Sequence, residues 1–440
     1  MAKPIVAIIG RPNVGKSTFF NYLAGKRISI VEDTPGVTRD RIYTEVEWRG
    51  RKFTLIDTGG IEIRDRDKIM LEMRNQAEIA IETADVIVFL VDLKDGVTPS
   101  DKEVASMLRK TKKPVILAVN KVDNIGEPPA EIYEFYNLGL GEFIAVSSIH
   151  GLGMGDLLDE IHKNFPEEKE EEADDDVIKV AIVGKPNVGK SSIVNKLVGE
   201  KRVIVSDIAG TTRDAIDTPV RRNKKEYVLI DTAGLRRKSR IKESLERFSI
   251  VRTVAAIERS DVVVLVIDAT EGVTEQDAKI AGIAHDRGKG LIIAVNKWDL
   301  IRKDSKTVNK YTRDIKNILS FATYAEVTFI SAVTGQRLNK LFDIIEKVIQ
   351  YQNLRIATGV LNEILAEATS LQQPPSDKGK QLRLYYITQV AVKPPTFVIF
   401  VNDKSLMHFS YTRYIENKIR EAFGFAGTSL RFIIRERKES

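Results

Sequence analysis

Short apolar runs alternate with longer amphipathic segments along most of the chain. The runs at residues 86–91 (VIVFLV) and 262–267 (VVVLVI) contain no polar residue, which is typical of strands buried on both faces of a parallel sheet. Strands that alternate with helical segments in this way form βαβ units. The pattern therefore predicts an α/β fold in which a mostly parallel sheet carries helices on both faces.

The pattern changes after residue 352. Residues 360–368 are amphipathic and predict a helix that ends near Pro374, because proline cannot continue a helix. Two strand-like runs follow at residues 382–392 and 396–401, and then a helix at 411–423 and a last strand at 430–434. This α-β-β-α-β order predicts a separate α+β domain, with helices on one face of a small open sheet.

The α/β part of the chain contains two copies of one pattern. Residues 10–17 (GRPNVGKS) return as residues 184–191 (GKPNVGKS), an offset of 174 positions. Four further blocks repeat in the same order: 33–40 at 207–214, 55–60 at 229–234, 92–98 at 268–274 and 118–123 at 294–299. Five ordered repeats indicate a duplicated domain.

An acidic stretch at residues 166–176 (PEEKEEEADDD) separates the two copies. Its charges repel one another and it has no apolar anchor, so we predict an extended linker, with an interaction tail as the alternative. We therefore expect a first domain at 1–165, the linker at 166–176, a second domain at 177–352 and the α+β domain at 353–440.

Each copy begins with the pattern Gly-x-x-x-x-Gly-Lys-Ser, placed after an apolar run and before a helical segment. In that context the pattern predicts a phosphate-binding P-loop, with backbone N–H groups around the phosphates. We expect Lys16 and Lys190 to reach the phosphate oxygens, and the hydroxyls of Ser17 and Ser191 to bind Mg²⁺. The predicted loops comprise Gly10, Arg11, Pro12, Asn13, Val14, Gly15, Lys16 and Ser17, and Gly184, Lys185, Pro186, Asn187, Val188, Gly189, Lys190 and Ser191.

A second motif, Asn-Lys-x-Asp at residues 120–123 and 296–299, predicts that the nucleotide is a guanine nucleotide. A carboxylate can accept hydrogen bonds from the ring N1–H and the exocyclic amine of guanine, whereas adenine would leave it unpaired at a cost of about 1–3 kcal/mol or more. We assign that role to Asp123 and Asp299, and we expect the neighbouring asparagine to tie this segment to the P-loop. The predicted base-binding residues are Asn120, Lys121, Asp123, Ser147 and Ser148, and Asn296, Lys297, Asp299, Ser331 and Ala332, with Ser148 where alanine is usual.

Two further blocks predict residues that respond to the γ-phosphate. Thr38 and Thr212 lie in segments of the kind that close over it and bind Mg²⁺. Asp57 and Asp231 are expected to reach Mg²⁺ through water, and Gly60 and Gly234 to offer an N–H to the γ-phosphate and move after hydrolysis. These turns contain Asp57, Thr58, Gly59, Gly60 and Ile61, and Asp231, Thr232, Ala233, Gly234 and Leu235.

Composition limits the other chemistry. The chain has no cysteine, so disulfides, thiolate metal sites and cysteine nucleophiles are excluded, and we expect a cytoplasmic protein. No apolar run reaches the roughly 18 residues of a membrane span, and we expect a monomer. The net charge of +6 favours a polyanionic partner, with ordinary surface lysines as the alternative.

The doubled Gly-x-Pro-Asn-Val-Gly-Lys-Ser on one chain resembles the EngA/Der family of bacterial GTPases with two G domains, which is related to Era and to the TrmE class. The resemblance covers essentially the whole length. It implies that the C-terminal α+β domain is KH-like. It also implies a role in assembly of the large ribosomal subunit, with that subunit and its rRNA as partners.

Ile61 and Leu235 stand where many GTPases have a glutamine that orients water, so we expect slow intrinsic hydrolysis. Relatives with this substitution use K⁺, held partly by the P-loop asparagine, which implies roles for Asn13 and Asn187. A structural role for these asparagines is the alternative. Arg39 and Arg213 are other candidates for neutralising phosphate charge.

Two further features, one beside the second copy's Asp-x-x-Gly turn and one near the C-terminus, have both a functional and a structural interpretation. The basic residues 235–242 could contact RNA phosphate or lie in solvent. The string at residues 424–427 (GFAG) matches the Gly-x-x-Gly of KH domains, but it lies between a helix and a strand, where Gly424 is better explained as a helix C-cap.

The motifs predict a GTPase that hydrolyses GTP at two sites and acts as a nucleotide-dependent switch, and the resemblance implies that it does so in ribosome assembly. The alternative is a scaffold or RNA-binding protein in which one G domain holds a static nucleotide. An RNA-modifying enzyme and an ATPase are disfavoured.

Overall fold

The computed structural model describes residues 3–25, 43–57, 66–124, 129–166, 177–199, 204–205, 217–223, 225–230, 245–377 and 379–437. These residues form two compact units. The first contains the described residues up to 166 and the helix Leu245–Arg259. The second contains the described residues 177–230 and those from Ser260 onward.

The first unit is an α/β fold built on a six-stranded sheet. Its strands run in the order β2-β3-β1-β4-β5-β6, and each neighbouring pair is parallel except β2 and β3. The elements are β1 (Ile5–Ile9), α1 (Lys16–Gly25), β2 (Tyr43–Trp48), β3 (Arg51–Asp57), α2 (Arg66–Thr83), β4 (Val86–Asp92), α3 (Pro99–Leu108), β5 (Val115–Asn120), a 3-10 helix (Ala130–Leu138), β6 (Phe143–Ala145) and α4 (Met154–Lys163).

The apolar runs that predicted strands form the centre of this sheet. Every residue of β1 and β4 is buried, because both strands are covered on both faces. On one face, side chains of α1 and α4 such as Phe19 and Leu157 pack against Val6, Val88 and Leu90. On the other face, α2 packs against β1.

The helix α6 (Leu245–Arg259), which follows the second copy's Asp-x-x-Gly block, belongs to the first unit. The Thr54 hydroxyl donates a buried hydrogen bond of 2.7 Å to Glu258, and Arg252 pairs with Glu82 at 2.7 Å. These contacts join α6 to β3 and α2.

The second unit repeats the α/β fold on a seven-stranded sheet with the order β13-β12-β11-β7-β10-β9-β8. Its core strands pair in parallel, and the β10-β9 and β9-β8 pairs are antiparallel. The elements are β7 (Val177–Val183), α5 (Lys190–Val198), β8 (Ile204–Val205), β9 (Thr218–Arg222), β10 (Lys225–Ile230), β11 (Val262–Asp268), α7 (Glu275–Asp286), β12 (Gly290–Asn296), α8 (Thr307–Ile318), β13 (Glu326–Phe329) and α9 (Asn339–Gln352).

The C-terminal part of the second unit confirms the predicted α-β-β-α-β order. It adds a short hairpin that the sequence did not predict, because its two-residue strands are too short to produce an apolar pattern. The elements are α10 (Thr358–Leu371), β14 (Ser376–Asp377), β15 (Lys380–Gln381), β16 (Leu384–Ala391), β17 (Thr396–Val401), α11 (Phe409–Phe423) and β18 (Arg431–Glu436). The main sheet has the order β16-β17-β18, and α10 and α11 pack on it through one apolar cluster that includes Leu365, Ile419 and Phe397.

Gly424 ends α11, as the sequence predicted. Its φ is +89°, and its N–H donates to the carbonyl of Arg420 at 2.8 Å. A Cβ at this position would lie 2.6 Å from the Tyr351 hydroxyl, so only glycine fits here.

The residue that closes the Gly-x-x-Gly string also packs inside the second unit. The Gly427 N–H donates to the carbonyl of Tyr324 at 2.7 Å, and its own carbonyl accepts from the N–H of Leu291 at 2.8 Å. A Cβ would lie 2.3 Å from Val348. The string therefore joins the C-terminal sheet to the α/β part of the unit, which is a packing role.

Candidate nucleotide sites

In both copies the P-loop connects a buried strand to the first turn of a helix. Residues 10–15 join β1 to α1, and residues 184–189 join β7 to α5. Gly15 has φ +98°, and a Cβ there would lie 2.3 Å from the Asn120 amide. In the second copy, Gly189 has φ +101°, and a Cβ there would lie 2.2 Å from the Asn296 amide. The second glycine of each motif therefore makes room for an asparagine from another strand.

The P-loop lysines lie inside their own loops. Lys16 Nζ donates to the carbonyls of Gly10 at 2.6 Å and Arg11 at 2.7 Å, and Lys16 is 7% exposed. Lys190 Nζ donates to the equivalent carbonyls of Gly184 and Lys185, both at 2.7 Å. The ammonium groups are thus held inside the loop that would surround the phosphates, and their contact with phosphate oxygens stays a prediction.

The predicted tie between the base segment and the P-loop is present in both copies. Asn120 Nδ2 donates to the carbonyl of Val14 at 2.7 Å, and its Oδ1 accepts from the N–H of Ser148 at 3.0 Å. Asn296 does the same with Val188 at 2.8 Å and Ala332 at 3.0 Å. Each asparagine is 2% exposed, so these bonds are buried and join three loops into one site.

Ser148, which stands where alanine is usual, has a structural explanation. Its hydroxyl donates a further hydrogen bond of 2.9 Å to Asn120 Oδ1. Ala332 in the second copy has no such group. The first site therefore carries one more bond on its asparagine than the second.

Two buried aspartates support the predicted lysines, and the sequence analysis did not assign them a role. Lys121 forms an ion pair with Asp92, and Lys297 Nζ lies 2.5 Å from Asp268. Burial raises the pKa of Asp268, but the hydrogen bonds from Lys297 and Thr270 and the charge of Lys297 together outweigh this effect, so the pKa lies below its usual range. Both lysines have positive φ, so the chain turns sharply after each asparagine. The repeat at residues 92–98 and 268–274 was the signal that could have identified these aspartates.

The two carboxylates that are predicted to recognise the base differ in their contacts. Asp123 accepts from the Ser147 hydroxyl at 2.8 Å and from Lys94 Nζ at 3.1 Å, and these bonds lower the pKa of its carboxyl. Asp299 is exposed and has no such bond to another described residue. The equivalent of Lys94 in the second copy is Thr270, whose hydroxyl donates to Asp268 instead.

The Mg²⁺ ligands are described only in part. Asp57 ends β3, is 8% exposed and lies opposite Ile8 in the parallel β1-β3 register, next to the P-loop. Ser17 is exposed in the first turn of α1. A carboxylate and a hydroxyl are oxygen ligands of the kind Mg²⁺ prefers, so the donor set fits this ion. Ser191 is half-buried in the first turn of α5. The remaining residues predicted to respond to the γ-phosphate or to bind Mg²⁺ lie outside the described residues, as do the candidates for neutralising phosphate charge: Thr38, Arg39, Thr58, Gly59, Gly60, Ile61, Thr212, Arg213, Asp231, Thr232, Ala233, Gly234 and Leu235.

The residue after the first glycine of each P-loop, Arg11 or Lys185, forms an ion pair with a residue outside the loop. Arg11 pairs with Asp95 at 3.0 Å and lies 3.4 Å from the buried Asp101, and Lys185 pairs with Glu271, which raises the pKa of Lys185. The asparagines Asn13 and Asn187 are exposed, with φ of +67° and +64°. Pro12 and Pro186 precede them. Each asparagine can thus present its amide to a ligand at the loop, as the K⁺ prediction requires.

Within the described residues, no group of three or more histidine, aspartate or glutamate side chains could hold a metal ion. The described helices also contain none long and apolar enough to cross a bilayer.

Comparison with known proteins agrees with this geometry. Residues 5–121 and 179–297 match a family model described as a 50S ribosome-binding GTPase, and residues 355–435 match the KH-domain-like C-terminal domain of EngA bacterial GTPase enzymes. The fold and the sites therefore define a GTP-binding P-loop GTPase with two G domains and a KH-like domain.

Relatives of the same length identify the family. The chain is 71% identical over 440 residues to GTPase Der of Lachnoclostridium phytofermentans, covering 100% of both chains. It is 66% identical over 439 residues to GTPase Der of Acetivibrio thermocellus, again covering 100% of both. The chain belongs to the GTPase Der (EngA) family.

Proposed function

We propose that both sites hydrolyse GTP to GDP and phosphate, and that the bound nucleotide switches the protein's affinity for the large ribosomal subunit during its assembly. The observation that carries this proposal is the duplication of the whole bonding pattern. The lysines at the P-loop, the asparagines that tie it to the base segment and the aspartates behind the base-segment lysines occur in both copies.

The parts that the two copies share each have a role in phosphoryl transfer. The ammonium groups of Lys16 and Lys190 supply positive charge where charge develops on the phosphate oxygens. Ser17 and Asp57 would hold Mg²⁺ in the first site, and the ion would neutralise phosphate charge. Because isoleucine and leucine follow the Asp-x-x-Gly turns, we propose that K⁺ supplies further charge, held partly by Asn13 and Asn187.

The ribosomal part of the proposal is supported by the matched family, whose description names the 50S subunit. A surplus of basic residues, with a net charge of +6, is compatible with an RNA-containing partner. We also propose the domain boundaries given above, a cytoplasmic location and a monomeric state.

The test is GTP hydrolysis in K⁺ and in Na⁺ at equal ionic strength, with and without large ribosomal subunits. Wild-type protein is compared with Lys16→Ala and Lys190→Ala, whose thermal melting confirms that they fold. We expect each substitution to lower turnover at its own site by about 10²–10³-fold, so that either variant keeps part of the K⁺-stimulated rate.

Three results would contradict parts of the proposal. If one substitution leaves both the rate and subunit binding unchanged, that site is a static nucleotide holder. Equal rates in K⁺ and Na⁺ would refute the roles of Asn13 and Asn187. Subunit binding that is the same with GDP and with a non-hydrolysable GTP analogue would refute the switch.

A further inference from the structure

The helix α8 (Thr307–Ile318) of the second unit presents an unusual concentration of positive charge. It follows the base-recognition segment that ends at Asp299, with a short connection between them. Between residues 302 and 316 there are six basic side chains and two acidic ones. All six basic residues are exposed: Arg302, Lys303, Lys306, Lys310, Arg313 and Lys316.

These cations are not neutralised by the described residues around them. Arg313 lies 4.0 Å from Asp314, and both side chains are more than half exposed, so this pair contributes little. The carboxylate of Asp304 accepts instead from the Lys306 N–H at 2.9 Å and the Thr307 hydroxyl at 2.6 Å. Asp304 is therefore engaged in hydrogen bonds at the start of the helix, and Asp314 contributes only the weak pair with Arg313.

Other lysines of the same unit behave differently. Lys225 pairs with Glu346 at 2.6 Å, Lys347 with Glu326 at 3.0 Å and Lys418 with Glu421 at 2.7 Å. These pairs show that a lysine of this unit can find a carboxylate partner, which the lysines of α8 do not among the described residues.

The helix directs this charge to one side. At about 100° per residue, Lys306, Lys310 and Arg313 lie within roughly 60° of one another, with Lys316 on the edge of the same face, and they span about 15 Å. Ile315, on the opposite face, is 3% exposed and anchors the helix to the domain. The cationic face therefore points away from the core.

The first unit provides an internal comparison. At the equivalent place, after its own base segment, it has the 3-10 helix Ala130–Leu138. Residues 129–142 contain no lysine or arginine, and their exposed charged residues are Glu131, Glu134 and Glu142. The two copies share their nucleotide-binding pattern but have opposite charge here, so the charge of α8 is not a requirement of the nucleotide site.

We propose that the cationic face of α8, formed by Lys306, Lys310, Arg313 and Lys316, binds the phosphodiester backbone of RNA. Protein–nucleic acid interfaces are polar and strongly positive, whereas protein–protein interfaces have an apolar centre with few charges. Ile315 on the opposite side of α8 is buried against its own domain, and the cationic face itself carries no apolar residue that could enter a bilayer.

That the RNA is ribosomal rests on the proposed function.

The partly exposed Val308 and Ile318 lie off the cationic face by helical position, so they do not provide it with an apolar centre. The contact is to phosphate and therefore reads no base sequence.

The test uses the full chain with Lys306→Gln, Lys310→Gln and Lys316→Gln combined, since glutamine removes the charge and keeps a good helix propensity. The matched control combines Lys102→Gln, Lys110→Gln and Lys112→Gln, which removes equal charge from exposed lysines of the first unit. Binding to protein-free large-subunit rRNA and to large subunits is measured from 50 to 300 mM KCl. Basal GTP hydrolysis of both variants checks that they fold.

We expect the α8 variant to bind rRNA about 100-fold more weakly at 100 mM salt, with a salt slope smaller by about 2–3 units, because each lysine contributes roughly one released counterion. The control should bind like wild type. Wild-type affinity and slope in the α8 variant would overturn the proposal, as would an equal loss in the control.

Two other results separate this inference from the proposed function. A loss seen with subunits but not with protein-free rRNA would indicate an acidic protein partner and would overturn the inference. If wild-type protein binds rRNA through α8 but does not bind subunits in any nucleotide state, the inference stands and the proposed function fails. If wild-type protein binds neither protein-free rRNA nor large subunits, both the inference and the proposed function are overturned.

Discussion

Replacing Asn120 by aspartate tests whether the site depends on a single hydrogen-bond donor. The wild-type Asn120 amide donates to the Val14 carbonyl at 2.7 Å and accepts from Ser148, with 2% exposure. Aspartate has nearly the same shape and keeps the acceptor for Ser148. At neutral pH, however, it places a carboxylate oxygen against the Val14 carbonyl.

The size of the effect follows from the groups left unpaired. Asn120→Ala leaves a buried carbonyl and a buried N–H without partners, at about 1–3 kcal/mol each. A total of about 2–6 kcal/mol corresponds to at least a roughly 30-fold loss of nucleotide affinity if the site must form to bind. We expect Asn120→Asp at pH 8 to be at least as damaging, because an unpaired buried charge costs more than an unpaired amide.

The assay is binding of a fluorescent GDP analogue to the first site, with the second site disabled by Lys190→Ala. A protonated aspartate can donate to the Val14 carbonyl, so Asn120→Asp should recover part of its affinity, relative to wild type, as the pH falls from 8 towards 5.5. Asn120→Ala has no such group and should not recover. Wild-type affinity of Asn120→Asp at pH 8 would show that the donor to Val14 contributes nothing and would refute the reasoning.

Three further predictions concern other contacts. Lys94→Thr should strengthen GDP binding at the first site by about 2–5-fold, because the Lys94 ion pair no longer competes with guanine for Asp123; unchanged affinity in a titration would contradict this. His285, whose pKa is lowered to about 4 by burial and two nearby arginines, takes up a proton on unfolding between pH 6.5 and 4. Stability should therefore fall by about 3 kcal/mol as the pH drops through this window, and thermal melts of His285→Gln should lack that part of the loss. Gly427→Ala, at φ +72° with its Cβ 2.3 Å from Val348, should destabilise the second unit by about 2–4 kcal/mol, whereas Gly359→Ala, which meets nothing within 4 Å, should be neutral or slightly stabilising in the same melts.

The fold was largely predictable because its strands are continuous apolar runs. Residues 86–91 and 262–267 became β4 and β11 with one residue added to each, since a strand buried on both faces has no competing interpretation. Residues 396–401 became β17 without change. The hairpin of β14 and β15 was missed because its residues are polar and its strands contain two residues each.

The site residues were predictable from the sequence where only one type of side chain can make the required contacts. Asn120 and Asn296 make the predicted bonds because only an amide can donate to one loop and accept from another. The role of Lys94 was not predictable, since a lysine after a strand is usually solvated, and the role of Asp92 was signalled only by the repeat of its block at Asp268. Their function appears only when the fold brings them to Lys121 and Asp123.

Among the described residues, the bonds of the P-loop lysine and of the asparagine are shared by the two copies, whereas the bonds of the carboxylate predicted to recognise the base differ. The lysine, the two carbonyls it contacts and the asparagine tie have the same geometry in both copies within 0.1 Å. The base-recognising carboxylate is engaged by Lys94 and Ser147 in the first copy, while Asp299 in the second is exposed. Bonds that act equally on the ground state and the transition state change affinity without changing the chemical step. We therefore expect the two sites to differ more in nucleotide affinity than in the rate of bond cleavage, so that at limiting GTP the second site fills first. Equal affinities with unequal single-turnover rates would contradict this argument.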